Sequence, residues 1–260
     1  MRMPQRARST LDILRCRYHL WRRGDSRWSR SCVRDPDWRA GMRYFQALGM
    51  SRVSVLVDVG ANEGQFLLPA LRYLEPAQAV AIEMLPDLAG RLRTRCPAHV
   101  RVVECAVGRR AGRMPILRSI YSPASSLLPL MPQASALYGR DLHQEVAGEV
   151  QVRTLDEIYA QMGLHWVDLL KLDVQGYELE ALSGGTEALQ HTSRVIAEVQ
   201  FVPIYESGAL FSEVCAFMEA QGFALSLLFQ QARSVGGTLM HADALFTSRR
   251  KTGGDAGCIS

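Results

Sequence analysis

The sequence lacks several patterns that would identify other classes of protein. Its six cysteines form no C-x-x-C pair and no zinc-type spacing, so we expect neither a structural zinc nor a disulfide framework. It has no run of roughly 18 apolar residues that could cross a membrane as a helix. Charged side chains interrupt residues 11–20, where a secretory signal would need an apolar core. These absences predict a cytoplasmic protein with reduced thiols and no transmembrane segment.

Two short motifs are also missing, and each absence disfavours a class of enzyme. The chain has 28 arginines but only Lys171 and Lys251, and neither lysine has a tyrosine four residues before it. The Tyr-x-x-x-Lys pair of many dinucleotide-dependent dehydrogenases is therefore absent. Asp173 is followed by Val-Gln-Gly, not by the Pro-Pro-Tyr or Pro-Pro-Phe that holds the amino nitrogen in enzymes that methylate bases. The sequence thus disfavours both chemistries.

The N-terminal region carries the excess positive charge. Residues 1–52 hold 13 arginines and four acidic residues, whereas residues 53–260 hold 17 basic and 22 acidic residues. We interpret residues 1–50 as a basic arm ahead of an acidic domain. The simplest interpretation is a solvated arm, and peripheral contact with a membrane or with RNA phosphates stays open as an alternative. Because arginine is abundant along the whole chain, we do not expect nucleic acid to be the main partner.

Short apolar runs alternate with helical stretches from Ser54 onward. The pattern predicts helices at 66–74, 87–95, 177–190 and 209–220, and strands at 54–59, 79–83, 100–107, 167–174, 194–199, 223–229 and 243–247. Most of these strands are apolar on both faces, which is typical of parallel strands covered by helices on either side. The sequence therefore predicts an α/β protein with a doubly wound, Rossmann-like sheet.

Residues 108–166 interrupt this alternation between the third and fourth predicted strands. The stretch predicts a strand near 114–117, a Ser/Pro-rich loop at 119–133 and another strand near 150–154. An insertion at this place is well positioned to cap a substrate pocket. The predicted organisation is a basic arm at 1–50, one domain at 51–250 that contains the insertion, and a flexible tail at 251–260.

The first predicted strand ends in a turn with two glycines, from Asp58 to Gly64. Ligands of doubly wound folds bind beyond the carboxyl ends of the strands, so Asp58, Gly60, Ala61, Asn62 and Gly64 are candidate cofactor contacts. Asn62 replaces the middle glycine of the dinucleotide fingerprint. A pyrophosphate is held by a glycine-rich loop at a helix N-terminus, whereas the acidic Asp58 suits the cationic sulfonium of S-adenosylmethionine (SAM).

Two further positions extend this candidate cofactor site. Glu83 closes the second strand, where a carboxylate can accept hydrogen bonds from both ribose hydroxyls. Ala106 lies near the end of the third strand, where small side chains can line an adenine slot. Together with Asp58, these residues predict a SAM site.

The densest run of reactive side chains lies around the end of the fourth predicted strand. Alternation places Lys171 and Asp173 on one face of that strand. A lysine within an apolar strand is costly unless it is paired, and Asp173 and Glu178 are the obvious acidic partners because both should lie near the carboxyl edge. We expect a charged cluster at this edge of the sheet, either as a structural ion pair or as part of a catalytic centre.

A hydroxyl acceptor must lose its proton as it attacks a methyl group, which calls for a base or for a metal that acidifies the hydroxyl. Asp173, Glu178 and Glu198 could converge at the carboxyl edge and serve as the base. Asp173 and Glu198 are also candidate ligands of a divalent metal. His143 and His165, within or just after the insertion, are alternative bases.

Six motifs, in order, resemble the FkbM family of SAM-dependent methyltransferases. They are residues 57–66 (VDVGANEGQF), 122–127 (SPASSL), 154–156 (TLD), 170–179 (LKLDVQGYEL), 198–201 (EVQF) with Tyr205, and 243–246 (DALF). The resemblance implies a seven-stranded class I methyltransferase sheet with its last strand antiparallel. It covers roughly residues 53–248 and says nothing about the arm.

The resemblance also implies O-methylation, typically of sugars in glycans or of hydroxyls in secondary metabolites. By motif position it implies that SAM is contacted by Asp58, Gly60, Asn62 and Glu83. It also implies an active site that contains Ser125, Ser126, Asp173 and Glu178, in which the two serines would bind the acceptor. Met84 departs from the proline that the family commonly has after the acidic residue of the second strand. Two alternatives stay open: an RNA methyltransferase that uses the basic arm, and a non-catalytic SAM-binding partner protein.

Overall fold

The structure is a computed structural model that describes Phe45, residues 49–50 and residues 52–250. The chain divides into two units between Gly49 and Met50, and the strands described below all belong to the second unit. The predicted arm at 1–50, apart from these few residues, and the predicted tail at 251–260 lie outside the described residues. Their organisation therefore stays a prediction.

Strands and helices alternate along most of the second unit. In chain order they are β1 (Val55–Val59), α1 (Leu67–Tyr73), β2 (Gln78–Glu83), α2 (Pro86–Arg95), β3 (Val100–Glu104), β4 (Ala106–Val107), β5 (Gly112–Ser119), α3 (Ala134–Tyr138), β6 (Gln144–Arg153), α4 (Leu155–Met162), β7 (Val167–Leu172), α5 (Glu178–Ser183), α6 (Thr186–Gln190), β8 (Thr192–Gln200), α7 (Phe211–Ala220), β9 (Phe223–Arg233) and β10 (Leu239–Ser248). Among residues 52–250, no helix has both the length and the apolar composition needed to span a bilayer.

Seven strands form the main sheet in the order β3-β2-β1-β7-β8-β10-β9. The pairs from β3 to β8 are parallel, and β10 is antiparallel to both β8 and β9. The predicted fold class is thereby confirmed: a doubly wound α/β sheet of seven strands with the last one antiparallel. The strand order reverses between β1 and β7, and ligands of such sheets bind in the crevice beyond the strand ends at this point.

The insertion forms a second, three-stranded sheet in the order β4-β6-β5. The predicted single strand at 100–107 is wrong, because the chain leaves the main sheet after Glu104 and pairs Ala106 and Val107 with β6. No glycine or proline interrupts residues 100–107, so the sequence does not reveal the change of sheet. As predicted, the insertion lies between the third and fourth strands of the main sheet.

The prediction of one helix at 177–190 is also wrong, because this stretch forms two helices, α5 and α6. Gly184 and Gly185 separate them. A Cβ atom at Gly184 would collide with the backbone carbonyl oxygen of Gly108, and one at Gly185 would lie 2.8 Å from the Leu155 side chain. The break therefore lets the chain approach the insertion and α4 closely.

The core leaves one side of the central strands free for charged groups. Val57, Leu170, Leu172 and Ala197 all belong to one buried apolar cluster. Residues at alternate positions of a strand point to opposite faces, so Asp58 and its register partner Lys171 project from the other face.

Gly60 lies where the β1 turn meets the end of β7. It has φ +78°, and a Cβ atom there would collide with the backbone carbonyl oxygen of Asp173. Gly163, after α4, has a similar φ of +65° but open space around it. We expect Gly163→Ala to cost about 1 kcal/mol through backbone strain alone, and Gly60→Ala to cost about 3 kcal/mol or more because the clash adds to that strain.

Chemical denaturation of both glycine variants measures this difference. Gly163→Ala is the matched control for the left-handed backbone. Equal losses of unfolding free energy would show that the clash with the Asp173 carbonyl adds nothing to the cost of backbone strain.

Candidate active site

A row of charged side chains crosses the carboxyl edge of the main sheet on one face. The register pairs Asp58 of β1 with Lys171 of β7, and Glu198 of β8 with Asp243 of β10. Ile196 pairs with Lys171 and lies two residues before Glu198, so the two register pairs share one face of the sheet. All four charged side chains are buried. Buried charge is costly unless it is paired, which makes this row a candidate functional site.

Lys171 provides a buried positive charge in the row. Its Nζ lies 3.2 Å from Asp173 Oδ2 and 3.9 Å from Asp243 Oδ1. Burial by itself would lower the pKa of Lys171, but the surrounding carboxylates, Asp173 first among them, hold it above its ordinary value. Lys171 therefore stays protonated and counters the acidic charge of the site.

Asp173 follows β7 directly and faces open space, because 36% of its side chain is exposed. Its Oδ1 accepts a hydrogen bond from Gln175 Nε2 at 2.6 Å, while its Oδ2 contacts Lys171. Burial works to raise the pKa of Asp173, but the Lys171 charge and the Gln175 hydrogen bond outweigh it and leave the pKa lowered. Asp173 is therefore ionised at neutral pH.

The structure brings the three carboxylates of the sequence analysis together. One oxygen each of Asp173, Glu178 and Glu198 lies within 4.8 Å of the others. Glu178 Oε1 accepts hydrogen bonds from the backbone N–H groups of Val174 and Gly176, at 2.9 and 3.3 Å. Burial, with further repulsion from Glu198 and Asp173, raises the pKa of Glu178 to about 8. Glu178 therefore ionises less readily than Asp173 does.

Glu198 contacts a histidine that the sequence analysis did not single out. His241 Nδ1 lies 2.9 Å from Glu198 Oε1, and Gln175 Nε2 donates to Glu198 Oε2 at 3.2 Å. Gln175 is itself held by the Tyr205 hydroxyl, which donates to its Oε1 at 2.7 Å. The sequence predicts β10 only from Asp243, whereas the strand begins at Leu239. If the predicted strand began four residues earlier, strand alternation would place His241 on the same face as Asp243.

The two histidines that the sequence analysis proposed as bases are not brought to this cluster. His143 and His165 are both exposed. His165 precedes β7 and therefore lies at the opposite edge of the sheet from Asp173. His143 precedes β6 in the insertion. Their positions do not favour the roles predicted for them.

The predicted cofactor turn is fixed against the end of β2. The backbone N–H groups of Gly60 and Ala61 both donate to the carbonyl oxygen of Ile82, at 2.9 and 3.0 Å. Glu83 Oε2 accepts from the backbone N–H of Asn62 at 2.7 Å, and its Oε1 accepts from that of Leu85 at 2.8 Å. Glu83 is buried, and burial raises its pKa despite these hydrogen bonds.

Asp58 has an unmet interaction. Its Oδ2 is buried and has no hydrogen-bond partner within the part of the chain that the structure describes. Burial, opposed by the charge of Lys171, raises the pKa of Asp58 to about 7. A buried carboxylate oxygen without a partner costs about 1–3 kcal/mol, so a cationic ligand at this edge would supply the missing interaction. This residue set fits the positively charged SAM.

The remaining predicted site residues are buried near the insertion. Ala106 begins β4. Ser125 Oγ accepts from the Ser119 backbone N–H at 3.1 Å. Ser126 Oγ donates to the carbonyl oxygen of Gln175 at 2.7 Å and accepts from the Leu128 N–H at 3.0 Å. The two serines thus hold the insertion together and attach it to the turn after β7.

Comparison with known proteins identifies the family. A family model described as "Methyltransferase FkbM domain" matches residues 58–225, which include the cofactor turn, the insertion and the carboxylate cluster. The chain belongs to the FkbM methyltransferase family. With this family and its seven-stranded sheet, it is a SAM-dependent methyltransferase.

Three relatives illustrate the range of this family. The chain is 31% identical to 31-O-demethyl-FK506 methyltransferase FkbM of Streptomyces tacrolimicus, over 76% of this chain and 82% of that protein. It is 28% identical to methyltransferase sdnD of Sordaria araneosa, over 66% and 74%. It is 27% identical to 2-O-methyltransferase NoeI of Sinorhizobium fredii, over 58% and 65%. Two of the three names specify a methylated oxygen.

Proposed function

We propose that this FkbM methyltransferase transfers a methyl group to a hydroxyl oxygen of a sugar, a glycan or a secondary metabolite. The observation that carries the proposal is the convergence of Asp173, Glu178 and Glu198 beside the cofactor turn, at the carboxyl edge of the sheet. Carboxylates accept hydrogen bonds from a hydroxyl and stabilise the proton that it must lose. The oxygen named in two relatives supports the same acceptor chemistry.

In this proposal the cofactor lies across the ends of β1 and β2. SAM supplies a methyl carbon on a positively charged sulfur, which an oxygen can attack in line. Glu83 accepts hydrogen bonds from the ribose hydroxyls through the lone pairs that the backbone N–H groups of Asn62 and Leu85 leave free. The unpartnered oxygen of Asp58 faces the positive charge, and the turn from Gly60 to Gly64 provides the backbone beside it.

The acceptor lies beyond β7 and β8 in this proposal. Asp173 presents an ionised, partly exposed carboxylate to the hydroxyl, and Lys171 keeps that carboxylate ionised. Ser126 supports the turn that carries Gln175, so the predicted serines act on the acceptor site by shaping it. We further propose a cytoplasmic location, for which the unpaired thiols of Cys96, Cys105 and Cys215 are suited.

Release of S-adenosylhomocysteine from the full chain, measured with a panel of acceptors, tests the proposal. The panel contains methyl glycosides, oligosaccharides, macrocyclic polyketide alcohols and transfer RNA. We expect turnover with at least one hydroxyl acceptor and none with RNA. Turnover with RNA alone would contradict the proposal and support the alternative that uses the basic arm.

The carboxylate cluster also defines the candidate metal ligands, Asp173 and Glu198. Each already has strong partners: Asp173 contacts Lys171 and Gln175, and Glu198 contacts His241 and Gln175. The ammonium of Lys171 beside Asp173 would repel a divalent cation. The residues therefore fit a metal poorly, and we assign no step to one.

Removal of divalent metals tests this conclusion. We expect a chelator such as EDTA to change the turnover by less than about twofold, since the transfer relies on protein groups. Added magnesium should likewise leave the rate unchanged. Loss of turnover in EDTA that magnesium restores would show that Asp173 and Glu198 hold a metal.

A further inference from the structure

The Glu198–His241 pair is mostly buried and is supported by further hydrogen bonds. Glu198 and His241 lie on adjacent antiparallel strands whose register runs without interruption from His241 to Thr247. Gln175 fixes the second oxygen of Glu198, and Tyr205 fixes Gln175. Each member of this chain of hydrogen bonds restricts the next, so Glu198 Oε1 and His241 Nδ1 have defined positions.

The His241 ring is only partly covered by its neighbours. The ring stacks on Tyr138, with centroids 6.0 Å apart and planes at 26°, and 19% of the side chain is exposed. Nε2 has no hydrogen-bond partner among the described residues. Because Nδ1 donates to a carboxylate oxygen, the neutral ring carries its lone pair on Nε2. That nitrogen can accept a proton.

The neighbouring groups are less suited to accept a proton. Both oxygens of Asp173 are engaged, and its lowered pKa makes it a weak base. Glu178 is only 2% exposed, and two backbone N–H groups occupy its Oε1. Lys171 is protonated. Among the described residues of the cluster, His241 is thus the partly exposed group whose second ring nitrogen has no hydrogen-bond partner.

We propose that His241 is the general base for methyl transfer and that Glu198 positions it. This inference rests on the proposed function, since it requires a hydroxyl acceptor. The O–H bond of the acceptor breaks as its proton moves to Nε2 of His241, and the oxygen bonds to the methyl carbon of SAM. The C–S bond breaks with its electron pair going to sulfur. The products are a methyl ether, S-adenosylhomocysteine and an imidazolium, which returns its proton to water.

The charges around His241 determine the pH at which it can act. Burial works to lower the pKa of His241, but the facing carboxylates of Glu198, Asp173 and Asp243 outweigh it and raise the pKa above the ordinary value of 6.5. Tyr138, which packs on the ring, is uncharged because burial raises its pKa further above its ordinary value. A base works only when neutral, so turnover should fall as the pH drops through the raised pKa of His241.

The test compares the pH dependence of kcat/KM for three variants of the full chain, using the hydroxyl acceptor on which the wild type is most active. His241→Gln should lower kcat about 100-fold and remove the acid limb that His241 causes. Glu198→Gln should lower kcat and shift that limb to lower pH, because the carboxylate that raises the pKa is gone. The matched control is His99→Gln, since His99 is exposed and precedes β3; it should match the wild type.

Two further measurements keep the outcomes distinct. Calorimetric titration with S-adenosylhomocysteine shows whether each variant folds and binds the cofactor product. NMR of protein labelled with 15N in its histidines follows His241 without any acceptor, and its pKa should fall in Glu198→Gln.

A folded His241→Gln variant with wild-type kcat and an unchanged acid limb would overturn the assignment. An unchanged pKa of His241 in Glu198→Gln would overturn the positioning role of Glu198. A wild-type protein that binds SAM but methylates no hydroxyl in the panel would instead overturn the proposed function, and the base with it.

Discussion

Asp173→Asn is expected to lower kcat by about 100-fold or more while the affinity for SAM changes by less than about threefold. The substitution keeps the shape of the side chain but removes a partly exposed charge that lies 3.2 Å from Lys171 Nζ. Lys171 then has Asp243 as its nearest carboxylate, at 3.9 Å. The transition state loses a negative charge where the acceptor oxygen gives up its proton, whereas the residues at the end of β2 are untouched.

Asp168→Asn is the matched control for this prediction. Asp168 belongs to the same strand, β7, but lies at its opposite end, where Oδ2 accepts hydrogen bonds from the backbone of Ser54 and Val55. We expect this variant to keep wild-type kcat. If Asp173→Asn binds SAM and turns over like the wild type, Asp173 has no part in the mechanism.

Glu83→Gln is expected to weaken SAM binding by about 10- to 100-fold. A hydrogen bond to a charged group contributes about 1.5–3 kcal/mol, and about 1.4 kcal/mol corresponds to a tenfold change in affinity. Both oxygens of Glu83 accept hydrogen bonds from backbone N–H groups. In the glutamine variant one of these oxygens becomes an NH2 group, which places a donor against a backbone donor. Calorimetric titration with SAM measures the difference.

Glu104→Gln provides the control for the change of charge at this edge. Glu104 is the register partner of Glu83 on β3, but it is partly exposed and pairs with Arg93 at 3.0 Å. Its substitution should leave the SAM affinity within about twofold, because exposed ion pairs contribute little. Equal affinities for the Glu83→Gln variant and the wild type would remove Glu83 from the cofactor site.

The sheet could be predicted from the sequence because its strands are short apolar runs separated by amphipathic helices. The same signal failed where packing with distant segments decides the outcome. The run at 100–107 contains no glycine or proline that would mark a break, and only its pairing with β6 shows that Ala106 belongs to another sheet. The break between α5 and α6 depends on the approach of Gly184 to Gly108, a contact across the fold that no local pattern encodes.

The candidate site was predictable to the extent that its residues end predicted strands. Asp58, Glu83, Asp173 and Glu198 all lie at or near the ends of parallel strands, and such ends meet at one edge of a sheet. His241 was missed because it lies near the start of an antiparallel strand. Its role depends on the β8–β10 register, which local sequence does not reveal.

The direction of the serine side chains was equally hidden from the sequence. Ser125 and Ser126 were assigned to the acceptor from their motif alone. In the structure their hydroxyls bond the backbone of Ser119, Gln175 and Leu128. Sequence spacing places such residues near a site, but the direction of a hydroxyl follows from backbone partners that only the folded chain provides.

The position of the transferred methyl group tests the central claim most directly. The purified full chain is incubated with each acceptor of the panel and with SAM that carries a 13C-labelled methyl group. 13C NMR of the product then shows whether the labelled carbon is bonded to oxygen, nitrogen or carbon. We expect the label on an oxygen, as a methyl ether, in a product formed together with S-adenosylhomocysteine. A label on nitrogen or carbon would contradict O-methylation, as would the absence of any transfer by a protein that binds SAM.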